Sequence, residues 1–485
     1  MRSGLNGGAY KPLTPEAIER IHETTMTVFS EVGVQVNHEE AMTLFRKAGA
    51  RVDDHSRVVR FPREMVMELV AQAPAEVTLC GRDPDGHLDC TIGDTRVYLG
   101  TGGTALNVQE PGSDMARSSQ LKDIVDMART VDALENIHFY MLNVFPHDVE
   151  KDDIDVNRFG AALNRTRKHI MGGVYTTEGI RRVIRMASLI AGSEEALRQR
   201  PFISMVACII SPFKLDEDYG RLALEVARHG IPLVVPAEPL CGATSPITLA
   251  GNLVVCCVDT LTGVMLSQLA RPGTPVLFGS VASITDLRDM KYLAGAVEMG
   301  LINAGASQMA QFYQLPIYAT AGMTDAKVND AQAGYESALT SLMVALAGGN
   351  WIHDAAGFIE FCMTASFDKL VIDNEILGMV MRAVEGIRVD DETLALDTIK
   401  AVGPGGHFLS SRHTRRNMRY ELYQPQLSDR DNRPVWEAAG AADAQQRATA
   451  RARQILEAPL QSYLPEAVRR QILEEIPGIQ PFLME

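Results

Sequence analysis

The chain has 485 residues, enough for two or three average domains or one large α/β unit with additions. Its 46% hydrophobic and 22% charged residues are those of a globular protein, and a net charge of -15 argues against nucleic acid as the main partner, since phosphate binding needs a basic face. Seven cysteines without a CxxC pair or regular spacing exclude a disulfide framework and a cysteine-based zinc site.

The first residues, MRSGLNGGAYKPLT, hold no apolar core of signal-peptide length, and no apolar run is read as reaching the roughly 20 residues of a membrane span. The expectation is a cytoplasmic protein with no membrane partner. Thr14-Pro15-Glu16 starts a helix with an N-cap, a first-turn proline and an acid. Further helices are expected over 38–48 and 62–73, and short strands over 76–80, 88–92 and 95–99, separated by Asp-Pro-Asp-Gly and Gly-Asp turns. Residues 1–95 therefore read as an N-terminal α+β accessory region.

A repeated grammar follows. Apolar strand candidates fall at 97–101, 137–144, 169–174, 202–210, 232–237, 275–280, 316–321 and 351–356. Helical patterns lie between them at about 119–133, 155–165, 178–192, 216–229, 247–270, 290–313 and 331–347, with another at about 367–386. The strands are continuous apolar runs, as expected when both faces of a parallel sheet are buried. This predicts an α/β fold, a TIM (β/α)8 barrel over 96–388. A doubly wound open sheet is the alternative, but no GxGxxG follows the first strand. Residues 389–485 form a C-terminal helical extension, which covers the barrel or builds the interface of a homo-oligomer.

In such a barrel the carboxyl ends of the strands carry function. Here they present Gly100 to Thr104, Asn143 and Phe145, Tyr175, Ser211, Glu238 and Cys241, Ser280, the loop Gly322 to Lys327, and His353 to Phe358. The set is rich in small residues, hydroxyls and aromatics. No residue with a proton-transfer role is expected from it, and no metal site. Gly100 to Thr104 reads either as an anion cradle or as a tight turn. His353 reads either as a packed core histidine or as a donor at the last strand end. Glu238, in Val-Pro-Ala-Glu-Pro, ends a buried strand and must be paired, protonated or facing a cation. His169 begins a strand, at the opposite end, and reads as structural. HExxH, GxSxG and P-loop motifs are absent.

Three segments carry a resemblance: Leu301 to Glu360, Gly403-Pro-Gly-Gly-His-Phe-Leu409 and Leu427-Ser-Asp-Arg430. Together they resemble the trimethylamine methyltransferase family, over most of the chain. That resemblance implies a TIM barrel that moves a methyl group from a methylated amine to the Co(I) corrinoid (cobalamin) of a separate partner protein docked at the barrel mouth. No cofactor would be bound tightly by the chain itself. Founding members of the family carry pyrrolysine in the loop that here reads Ala321 to Lys327. Gly322, Met323, Thr324 and Asp325 are ordinary residues, so the resemblance favours a quaternary amine, most of all glycine betaine, over trimethylamine. Proline betaine, carnitine, butyrobetaine and a non-catalytic betaine-binding barrel are the alternatives. For such a substrate Tyr98, Phe145, Phe312, Trp351 and Phe358 are the candidate cation–π walls, and Glu238 is the charge partner. His353, Thr101, Thr104 and the Gly102-Gly103 amides are the candidate carboxylate donors.

Overall fold

The computed structural model describes residues 2–485. Eight short strands follow the expected runs: β1 (Arg96–Leu99), β2 (Tyr140–Met141), β3 (Ile170–Gly173), β4 (Ile203–Val206), β5 (Leu233–Val234), β6 (Val276–Ser280), β7 (Ile317–Thr320) and β8 (Trp351–His353). The major helices after them are α1 (Leu121–Ala133), α2 (Ile154–Leu163), α3 (Thr177–Ala191), α4 (Glu217–His229), α5 (Leu249–Ala270), α6 (Val297–Phe312), α7 (Ala331–Leu346) and α8 (Phe367–Glu385). The strands make one curled, nine-stranded sheet. From β2 to β8 each pairs in parallel with the next, and β8 pairs in parallel with β1. Leu5–Asn6 adds a ninth, antiparallel strand on β1. An isolated parallel bridge joins Gly100, just past β1, to Phe139, just before β2.

Both faces of the sheet are dry, as the continuous apolar runs require. One face gathers Tyr98, Met141, Met171, Val206, Val234, Leu277, Tyr318 and Trp351, one side chain from each strand, into a single interior cluster. The other face packs beneath the helices in the larger core. Val77, Leu79, Cys90 and Ile92, from the hairpin Glu76–Leu79/Cys90–Gly93, join the interior cluster. That hairpin plugs the amino end of the strands, where Cys80 N–H donates to Pro201 O at 2.8 Å. His169 sits at the same end, between Cys80 O and Ser204 Oγ, and burial pushes its pKa down to about 3. It is a neutral core residue.

Two expectations need correction. The helix expected over 290–313 begins only at Val297, and Lys291–Leu293 is instead a strand, antiparallel to Ser283–Asp286. The intervening turn reverses the chain at Met290, whose φ is 59°. Second, α5 is 22 residues long and its most apolar window has a mean hydropathy of 1.8, so one apolar run does reach membrane-span length. It is an interior helix here, with 78% of its most apolar window buried. Its polar groups are satisfied within the fold: Asp259 accepts from Ser211 Oγ and Phe213 N at 2.7 Å, and Thr260 donates to Gly279 O at 2.7 Å.

The C-terminal helix Ala444–Glu457 lies on α8 and α1. Asp368 of α8 accepts from Gln445 Nε2 and Thr449 Oγ1, and Glu375 accepts from the backbone N–H groups of Gln426 and Leu427 at 2.9 and 3.2 Å. The Leu427-to-Arg430 segment is thereby strapped to the helical layer. Gly403 to Leu409 is an exposed loop.

One buried ion pair links the helices to the loops past β7 and β8. Lys369 and Asp373, both fully buried on α8, contact each other directly. Lys369 also donates to Ser337 Oγ (2.7 Å), which donates to Gly322 O (2.6 Å), while Asp373 accepts from Gly357 N (2.8 Å). Gly322, at φ 86°, stands so close to Ala355 that a Cβ would lie 2.5 Å from its Cα. Removing one partner leaves a buried charge uncompensated, which costs about 3–5 kcal/mol. Lys369→Ala is expected to lose that much in denaturant unfolding, and the double variant Lys369→Met/Asp373→Leu to lose clearly less. Equal losses would remove the charge-compensation argument.

Candidate functional site

The carboxyl ends of the strands surround a cavity of about 660 Å³. Gly103 and Thr104 come from the loop after β1, Gly173 and Tyr175 from the end of β3, and Cys208 from the segment after β4. Glu238 follows β5, the hairpin after β6 brings Lys291 and Tyr292, and Met323 follows β7. His353 ends β8, and Asp354, Phe361 and Cys362 follow it. Tyr219, in the first turn of α4, and Tyr318 of β7 complete the aromatic wall.

The cavity is anionic. Glu238 opens onto it rather than being packed into protein, and among the described residues no cation pairs with it. Desolvation, with the charge of Asp354 second, pushes its pKa up to about 7. Asp354 is buried and sits in a left-handed backbone conformation, φ 60°. Its Oδ1 finds no hydrogen-bond partner. Lys291 is exposed and already contacts Asp289. The two cavity thiols, Cys208 and Cys362, are pushed up by burial, Cys208 to about 12, so neither offers a thiolate.

His353 has its ring committed. Tyr318 stacks on it at 3.7 Å between centroids. Its Nε2 lies 2.5 Å from Thr320 Oγ1, which donates its own hydrogen to Ser280 O at 3.0 Å. Hydrogen-bond accounting therefore puts a proton on Nε2. Nδ1 is 2.9 Å from Asp354 Oδ2 but out of hydrogen-bond alignment. With its proton committed on Nε2 and Nδ1 left as an acceptor, His353 has no free donor for a carboxylate, contrary to the sequence expectation.

The loops over the cavity are braced against one another. Gly102 and Gly103 pass against Asp354, where a Cβ would stand 2.0 and 3.0 Å from Oδ1. In the loop Gly322 to Lys327, Thr324 and the Asp325 N–H bond to Glu336, and Asp325 Oδ1 accepts from Ala294 N (2.7 Å) and Gly295 N (3.1 Å). Glu360, Phe361 and Cys362 are three consecutive non-glycine residues at φ 57°, 59° and 67°. Such a turn costs about 1–2 kcal/mol per residue and persists only where its surroundings fix it. Glu360 N donates to Ala326 O at 2.8 Å and Phe361 N to Thr324 O at 3.2 Å, and Lys327 Nζ lies 4.0 Å from the Phe361 ring centroid.

Of the residues singled out from sequence, Gly103, Thr104, Tyr175, Glu238, Met323, His353 and Asp354 line the cavity. Tyr98, Phe145, Phe312, Trp351 and Phe358 do not. Tyr98 and Trp351 lie deeper in the interior cluster, with Trp351 stacked on Phe139 at 3.5 Å. Phe312 packs on His22 and Tyr313, outside the sheet. Phe145 meets Tyr175 edge-on, and Phe358 is core. Thr101 is spent on Met141, accepting from its N–H and donating to its C=O at 2.8 Å. The aromatics that do line the cavity are Tyr175, Tyr219, Tyr292, Tyr318 and Phe361.

Comparison with known proteins decides the kinship. The family model for trimethylamine methyltransferase matches residues 5–477. The chain belongs to the trimethylamine methyltransferase family. A trimethylamine methyltransferase of Desulfitobacterium hafniense (strain DSM 10664 / DCB-2) is 38% identical over 97% of this chain and 95% of its own. A glycine betaine methyltransferase of D. hafniense (strain Y51) is 32% identical over 96% and 95%, and a trimethylamine methyltransferase of Methanosarcina barkeri 35% over 91% and 89%. Among solved structures, the Methanosarcina barkeri monomethylamine methyltransferase superposes with a TM-score of 0.50 at 13% identity, covering 94% of this chain and 96% of the other. That likeness is one of fold.

A cation in this cavity favours ionised Glu238, so its binding releases a proton wherever Glu238 starts protonated. With Asp354, His353 and Lys291 as the other charged or titratable neighbours, the affinity for tetramethylammonium is expected to rise several-fold between about pH 6 and pH 8 and then level off. Titration calorimetry in two buffers of different ionisation enthalpy measures the released proton. Glu238→Gln should flatten the profile; an unchanged profile in that variant would assign the proton elsewhere.

Proposed function

We infer that this protein moves a methyl group from a quaternary ammonium, glycine betaine first among the candidates, to the Co(I) corrinoid of a partner protein that docks over the cavity mouth. The observation that carries the reading is the cavity itself: five aromatic rings and two carboxylates with no buried cation paired to Glu238. Such walls suit an ammonium that cannot donate hydrogen bonds, because ring faces and carboxylate charge attract it without needing an N–H. The ordinary residues Gly322 to Asp325 and the relative named as a glycine betaine methyltransferase support a betaine over trimethylamine. Proline betaine, carnitine and butyrobetaine are the neighbouring choices. We also read the curled sheet as a closed (β/α)8 barrel over 96–388, with 1–95 and 389–485 as extensions. The β8–β1 pairing and the Gly100–Phe139 bridge support closure. The row of exposed apolar side chains Ile387, Val389, Leu394, Leu396 and Leu409 supports assembly with further chains.

The corrinoid, in its Co(I) state, supplies the nucleophilic electron pair. Everything else falls to this chain: Glu238, Asp354 and the tyrosines hold the ammonium, and the braced loops orient one N-methyl group toward the mouth. The methyl carbon–nitrogen bond breaks with its electron pair kept by nitrogen, so a neutral tertiary amine leaves and no proton-transfer residue is required. Positive charge fades from nitrogen in the transition state. The carboxylates therefore contribute to binding more than to lowering the barrier.

Mixing the protein with photoreduced Co(I) cobalamin, or with the corrinoid partner, and a panel of methylated amines tests this. The expected result is loss of Co(I) absorbance with glycine betaine and appearance of dimethylglycine. Glu238→Gln should raise KM about tenfold while kcat changes less. Betaine binding without methyl transfer, with the corrinoid partner present, would instead support a binding protein.

A further inference from the structure

We propose that Arg158, acting through Thr104, forms an anion-recognising end of the cavity and selects a quaternary ammonium that also carries a carboxylate. The inference rests on the methyl-transfer reading and narrows its substrate.

Arg158, on α2, is fully buried, and among the described residues no carboxylate oxygen lies within ion-pair distance of it. A buried guanidinium without a counter-charge is costly. Asp155, one turn earlier on the same helix, feels its charge but accepts instead from Tyr175 N and Thr176 N, each at 3.1 Å. The Arg158 guanidinium donates to Leu142 O (2.9 Å), Gly173 O (3.2 Å) and Thr104 Oγ1 (3.2 Å), and its Nε–H has no partner. Tyr175, 5.4 Å from Cζ to ring centroid, covers it. The cation is therefore held behind the cavity wall, touching two of the residues that line it, Thr104 and Gly173.

Thr104 relays that charge. Because the guanidinium points an N–H at Oγ1, the hydroxyl's own hydrogen is free to turn into the cavity. Gly103, the preceding residue, stands against Asp354 Oδ1. A donor backed by positive charge and an unpaired carboxylate thus both face this cavity, the first on Thr104 and the second on Asp354. A zwitterionic quaternary ammonium can set its cationic end by the carboxylates and its own carboxylate by the Thr104 hydroxyl. Arg158 is a positioning residue, and Thr104 is the group that touches the substrate.

The test compares two ligands that differ only at the anionic end of the site, glycine betaine and tetramethylammonium, by titration calorimetry. Arg158→Gln and Thr104→Val should each weaken glycine betaine by tenfold to a hundredfold, about the worth of a hydrogen bond to a charged group, and leave tetramethylammonium unchanged. Thr104→Ser should restore betaine affinity. Thr104→Val keeps Arg158 in place and carries the test if Arg158→Gln does not fold. Parallel losses for both ligands, or no loss for either, would overturn the proposal. Wild-type protein that binds neither ligand would overturn the methyl-transfer reading instead.

Discussion

A carboxylate drawn out of bulk water must be protonated, hydrogen-bonded or met by a cation. Glu238 and Asp354 stand at one cavity under that constraint. Desolvation and mutual repulsion already hold Glu238 near the pH at which it gains a proton. Asp354 has one oxygen beside His353 and the other without a partner. The field at this end of the cavity is negative, with the buried Arg158 standing behind Thr104 and Gly173, and the rings of Tyr175, Tyr219, Tyr292, Tyr318 and Phe361 add further affinity for positive charge.

The rest of the chain fixes this arrangement. The amino end of the sheet is plugged by the 76–93 hairpin and serves packing, while the carboxyl end is left open and holds the polar groups. The loops after β7 and β8 converge on Lys369 and Asp373, so the walls that carry Met323 and Asp354 share one buried anchor. The left-handed turn Glu360–Cys362 and the close glycine contacts at Gly102 and Gly322 are local costs kept where they shape the cavity.

The alternation of apolar runs and helical stretches made the eight strands and most of the helices after them legible, because each strand run is buried on both faces; α2 and α5 are buried almost all round, and α6 begins later than its pattern suggests. Glu238 was legible as well, since an acid ending a buried strand demands an explanation. Of the aromatic wall, only Tyr175 was. Tyr219 begins a helix, Tyr292 sits in a hairpin that reads as helix, and Phe361 occupies a turn whose backbone no composition rule announces. Tyr98 and Trp351 misled for the opposite reason: both point into the sheet interior, but a residue too deep to reach the mouth. Arg158 carries no sequence signal, because a single arginine within a helical pattern reads as a solvated face. Only the fold reveals that its guanidinium is buried without an acid.

The most direct measurement compares glycine betaine with its carbon isostere, 3,3-dimethylbutanoate, which keeps the shape and the carboxylate but replaces the ammonium nitrogen by a neutral carbon. Titration of both at about pH 8, where Glu238 is ionised, should show binding of the betaine and binding of the isostere weaker by at least about tenfold, since the cavity's attraction is for positive charge. Equal affinity for the two would contradict that claim and reduce the cavity to a hydrophobic pocket of suitable size.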